Sequence, residues 1–155
     1  AQLDRFLIKT TLGYPDAQTA VALLMDSATR ARASLVTAII KPESIVAMTG
    51  LASEVFVDES VMRYLNDIVE ATRKNRDVVL GVSMRGAMAL ARAIKTWAIT
   101  QGRTYATPDD VRDLAVPVLA HRIILDPESE FAGVKAEDIV SRILLDIEPP
   151  TYRAA

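Results

Sequence analysis

Leu80-Gly81-Val82-Ser83-Met84-Arg85-Gly86-Ala87-Met88-Ala89-Leu90 is the stretch around which the rest of the chain is organised. Ser83 suits a helix N-cap, since its hydroxyl can accept a bond from a free amide one turn further in. Ala87, Leu90, Ala91, Ile94, Trp97 and Ala98 then recur at helical spacing and predict one buried face. At about 100° per residue, Arg85 and Arg92 fall on the opposite face. Arg85 becomes the second helical residue, where the positive end of the helix dipole disfavours a cation by roughly 0.3–1 kcal/mol. A cation held there beside free backbone amides makes sense where an anion binds. A solvated arginine at small cost is the plainer reading of the same residue.

Working outward, a 155-residue chain fits one domain, or one domain with a piece of another. Half the residues are apolar but only 5 % are aromatic, so the expected core is built from Ala, Val, Leu and Ile. Abundant helix formers predict a mostly α fold, a bundle of about five to six helices, preceded by one short orphan β-strand. Net charge is −2 and the pI about 5.4, which provides no basic footprint for nucleic acid. With no cysteine and one histidine, His121, neither a disulfide framework nor a thiolate metal site is expected. No apolar run approaches the roughly 18–20 residues that span a bilayer, so no membrane partner and a cytoplasmic location are expected.

Ala1-Gln2-Leu3-Asp4-Arg5-Phe6 reads as the tail of a preceding segment. Phe6 to Leu12 is β-prone, bounded by Gly13-Tyr14-Pro15, and suits the last strand of a sheet whose remainder lies elsewhere. Asp16 caps a helix to about Ala28, with Ala17, Ala20, Val21, Leu24 and Met25 inward; Thr29 to Ala38 is ambiguous. Pro42 opens a second helix, with Ile45, Met48, Ala52 and Val55 in period. A third, capped by Asp58, carries the stripe Val61, Tyr64, Leu65, Ile68, Val69 and Thr72, and its basic end Arg73, Lys74, Arg76 complements the dipole.

Val78 to Gly81 is a short extended connector into the Ser83 helix. Thr107-Pro108-Asp109-Asp110 is the strongest local signal: an N-cap, a proline at the first helical position and two first-turn acids. Capping accounts for Asp109 and Asp110 better than a catalytic carboxylate pair does. Pro117 should bend or end that helix, and His121-Arg122 satisfies its last carbonyls or packs on a neighbour. Asp126 to Gly133 reads as a polar loop. The final helix begins at Lys135 or Ala136, with Ile139, Ile143 and Leu144 inward. No GxxxxGK[ST] loop and no GxSxG elbow occurs, so the chain alone is not expected to catalyse. Two arginines remain in suggestive places, Arg5 and Arg85; an arginine can stabilise a transferring phosphoryl group without bond chemistry of its own.

At these residues the chain resembles the MoxR family of AAA+ ATPases. The resemblance is carried by Ala1 to Phe6, Gly13-Tyr14-Pro15, Ala71-Thr72-Arg73, Leu80 to Arg85, Gly102 to Val111, and Val118-Leu119-Ala120-His121-Arg122, in that order. Magnesium-chelatase subunits share the Leu-Asp-Arg-Phe and Ser-x-Arg elements but fit the later block less well. The resemblance implies a C-terminal portion of such an ATPase: residues 1–14 as the remnant of the nucleotide-binding core, residues 15–155 as the helical lid. Walker A, Walker B and sensor 1 would lie upstream. Arg85 matches the sensor-2 residue, which reaches nucleotide from the lid of the same subunit. Arg5 is similar to the arginine finger that enters a neighbouring subunit's site. Met84 stands where the family usually has proline.

ATP and Mg2+ are then the implied cofactors of the intact protein. The core of the same chain, neighbouring ring subunits and a von Willebrand factor A domain protein are the implied partners, and chaperone-like remodelling the implied role. The rival expectation is a helical adaptor that binds a protein partner and never meets nucleotide.

Overall fold

The computed structural model describes residues 3–25 and 36–151. The described residues form two compact units, one of residues 3–9 with 49–151, the other of residues 10–25 with 36–48. The smaller unit holds α1 (Ala17–Met25) and most of α2 (Pro42–Ser53). Asp16 caps α1 by accepting from the Thr19 amide at 2.8 Å, and Pro42 with Glu43 opens α2, as the sequence predicts. Most of the inward faces expected for these helices are not found: Val21, Leu24, Met25, Ile45 and Met48 stay exposed, while Val55, just past the end of α2, is buried. Period alone cannot bury a face, and within this unit no other described element covers these. The reach of α1 beyond Met25 and most of the ambiguous 29–38 stretch lie outside the described residues.

The larger unit is a helical bundle: α3 (Glu59–Lys74), α4 (Met84–Thr100), α5 (Pro108–Leu119), short α6 (Pro127–Phe131) and α7 (Ala136–Asp146). Asp58 caps α3 through the Ser60 amide at 2.8 Å, and the whole predicted stripe from Val61 to Thr72 is buried. In α5 the Thr107 hydroxyl accepts from the Asp110 amide while the Asp110 carboxylate accepts from the Thr107 amide, a reciprocal cap. α4 packs along α5, with α3 and α7 closing the bundle. The core is aliphatic, Ile68, Leu90, Ile94, Val111, Val118, Leu119 and Val140 at its centre. At about 0.8 kcal/mol per buried CH2, such side chains dominate the unit's stability.

Four local expectations are corrected. Phe6 to Leu12 forms no strand: a β-prone run needs a ladder partner, and its backbone bonds instead to Arg122, His121 and Pro117. The extended connector is itself a strand, β1 (Val78–Leu80), antiparallel to β2 (Ile124–Leu125). Trp97 is 36 % exposed, with Ala89 and Ala93 buried in place of it and Ala91. Finally, Asp126 accepts from the Glu128 and Ser129 amides and nucleates α6 within the supposed loop. Past Pro117, α5 runs on only to Leu119 and then tightens into a 3-10 turn, Ala120–Arg122.

Candidate functional site

The entrance of α4 is fixed from behind. Where β1 leaves the sheet, Gly81 passes so close to the end of α3 that a Cβ would lie 2.7 Å from the backbone of Arg73. The Val82 amide donates to the Thr72 hydroxyl at 3.0 Å and the Val82 carbonyl accepts from Arg73 Nε at 2.8 Å. Arg73 also pairs with Glu70 at 2.5 Å, so it braces a loop rather than merely complementing a dipole. Ser83 then caps α4, its hydroxyl accepting from the Gly86 amide at 3.2 Å. Arg85 is left projecting from the first turn.

Arg5 comes from the other end of the chain, in a 3-10 turn, Leu3–Arg5. Asp4, beside it, pairs with Arg122 at 2.7 Å, and the Arg122 side chain is only 2 % exposed. Together Arg5, Arg85 and Arg92 line one cavity of about 440 Å3, completed by Asp4, Leu7, Ala89 and Arg122. The Arg5, Arg85 and Arg92 side chains are exposed and have no hydrogen-bond or ion-pair partner among the described residues. The one carboxylate on the wall, Asp4, is already engaged by Arg122.

The sequence points to Arg5 and Arg85 separately; the structure brings them to one wall. It adds Arg92, which sequence reasoning leaves in solvent although it sits seven residues beyond Arg85, nearly two helical turns along the same face. Arg122 meets the expected role of satisfying a last carbonyl, through Val118 at 2.8 Å, and also holds the Arg5 turn. No periodicity signal marks that second role.

A larger cavity, about 620 Å3, shares Asp4 and Arg122. Its cations, Arg73 and Arg122, are both paired, which makes it the poorer anion site. Among the described residues no group of three or more His, Cys, Asp or Glu side chains is placed to hold a metal ion, and no helix is long and apolar enough to cross a membrane.

Asp110 belongs to the reciprocal cap of α5, and Asp109 lies beside it in the first turn. Burial pushes the Asp110 carboxyl up, but the Arg103 guanidinium at 2.5 and 2.9 Å and the Thr107 amide and hydroxyl outweigh it, and the net pKa lies below the ordinary carboxylate value.

Residues 70–143 match the AAA lid domain family. Over 155 residues the chain is 36 % identical to the Bacillus subtilis protein YeaC, covering all of this chain and 48 % of that one. It is 27 % identical over 164 residues to the Mycobacterium tuberculosis chaperone MoxR1, covering 99 % of this chain and 43 % of the relative. A crystal structure from Cytophaga hutchinsonii, assigned as an ATPase, superposes with a TM-score of 0.83 at 26 % identity over 97 % of this chain and 48 % of that one. The chain thus spans less than half the length of these relatives. The lid domain over residues 70–143, the MoxR proteins among the relatives and the superposed structure together match the C-terminal portion of a MoxR-type AAA+ ATPase.

Proposed function

We propose that this chain serves ATP hydrolysis in a ring-forming, chaperone-like remodelling ATPase, with Arg5 and Arg85 as its phosphate-facing cations. The single observation that carries the reading is the cavity walled by Arg5, Arg85 and Arg92 with no free carboxylate. Like charges around one cavity repel, and a polyphosphate removes that cost while using the bidentate geometry of each guanidinium. Residues 1–14 then close a nucleotide-binding core and residues 15–155 act as its lid. ATP and Mg2+ are held by that core, and a von Willebrand factor A domain protein is a candidate partner of the ring.

The resemblance alone divides the two arginines between a subunit's own site and its neighbour's. Their shared cavity favours one nucleotide for both. The test is made on the full-length ATPase. Arg5→Ala and Arg85→Ala should each lower kcat, by roughly 10³-fold or more for an arginine finger, without lowering the melting temperature. Each variant is then mixed with subunits whose own site cannot hydrolyse but whose arginines are intact. Recovery of activity in both mixtures supports one neighbouring nucleotide; recovery with Arg5→Ala alone returns Arg85 to its own subunit's site. Parent kinetics in both single variants would overturn the reading and favour the adaptor.

A further inference from the structure

We propose that Arg122 is a positioning residue for Arg5, holding the turn that carries it against the entrance of α4 so that Arg5 and Arg85 face one cavity. The inference rests on the phosphate-binding reading above. Arg122 is not itself available to a ligand. Its Nε donates to the Val118 carbonyl at 2.8 Å, one terminal nitrogen donates to the Asp4 carbonyl and to Asp4 Oδ1 at 2.7 Å, and the other donates to the Phe6 carbonyl at 2.6 Å. The residues on both sides of Arg5 are therefore gripped by one buried guanidinium, while the Arg5 side chain between them stays free among the described residues.

Apolar burial cannot do this holding. Leu3, Phe6, Leu7 and Ile8 are each between 45 and 62 % exposed, so this segment gives the core little. Its anchorage is polar, with His121 Nε2 on the Phe6 carbonyl at 3.0 Å and the Lys9 amide on the Pro117 carbonyl at 2.9 Å assisting Arg122. Two further contacts tie the same grip to Arg85. The Asp4 carboxylate accepts from the Ser83 hydroxyl at 3.3 and 3.4 Å, and Ser83 caps the turn that bears Arg85. In that turn Gly86 leaves room for the Arg122 stem, whose Cδ would lie 2.9 Å from a Cβ at position 86. A planar fork can grip two flanking carbonyls and a carboxylate at once; a lysine ammonium cannot.

The experiment is a double-mutant cycle on kcat in the full-length ATPase. Arg122→Gln should lower kcat about 10- to 100-fold, the range expected when a catalytic group is misplaced by about 1 Å. Arg122→Lys should not rescue it. In an Arg5→Ala background, Arg122→Gln should have no further effect on kcat, because there is no finger left to position; a general weakening of the fold would instead multiply the two losses. Asp4→Asn, which keeps the shape of the partner, gives the same test if Arg122→Gln does not fold. Parent kcat in Arg122→Gln and Asp4→Asn while Arg5→Ala is impaired overturns this inference alone. Parent kcat in Arg5→Ala overturns the phosphate-binding reading and this inference with it.

Discussion

Gly86→Ala isolates the packing on which the α4 entrance depends. A glycine inside a helix normally loses up to about 1 kcal/mol relative to alanine, so helix propensity alone predicts stabilisation. Here the added Cβ would lie 2.6 Å from Val82 Cγ1 and 2.9 Å from Arg122 Cδ, well inside van der Waals contact. Neither neighbour has a cheap way out. Val82 is fully buried with both its backbone groups bonded to α3, and Arg122 is fixed by Val118, Asp4 and Phe6. Overpacking of this kind costs about 1–3 kcal/mol against a propensity gain of up to about 1 kcal/mol, which leaves a net loss of up to about 2 kcal/mol. For a chain of this size that lowers the melting temperature by up to about 4–8 °C. Gly50→Ala in α2 is the control, because nothing lies within 4 Å of the added carbon; it should hold or raise the melting temperature. Thermal unfolding of both variants decides the matter. A Gly86→Ala protein as stable as Gly50→Ala would refute the close approach of α4 to Arg122.

Asp110→Ala removes half of the α5 cap and takes the carboxylate from the Arg103 guanidinium, which keeps the Tyr105 carbonyl. Losing one partner of a buried pair costs about 3–5 kcal/mol, reduced towards about 2 here because the Arg103 side chain is a quarter exposed; urea unfolding showing a loss under 0.5 kcal/mol, the scale of ordinary surface changes, would contradict the pairing. The same group sets a pH dependence. Its folded pKa is below the unfolded value of 3.8, so the unfolded chain binds the proton more readily on acidification. The stabilisation is therefore complete above about pH 5 and is lost as pH falls through the unfolded and then the folded pKa. The gap in melting temperature between the parent and Asp110→Ala should narrow between about pH 6 and about pH 3, and a gap that stays constant would count against this assignment.

The elements legible in the sequence are those whose cause is local. Asp58 before α3, Ser83 before α4 and Thr107-Pro108 before α5 cap helices through amides two or three residues away, and the stripe from Val61 to Thr72 needs only its own period to mark a buried face. The same local logic fails where the outcome depends on a partner. Phe6 to Leu12 has strand-forming residues but no strand beside it, and α1 has an apolar face with no cover among the described residues.

Arg5 and Arg85 were each conspicuous in the sequence, one for its place in a family motif and the other for standing against a helix dipole. Their convergence on one cavity, and the arrival of Arg92 there, was decided only in three dimensions. So was the grip of Arg122 on Asp4, across 118 residues of chain. Capping and periodicity act over a few residues and are written in neighbours. A contact closed over that distance has no local signature, because it exists only once α4, α5 and the β1–β2 pair have brought Asp4 and Arg122 together.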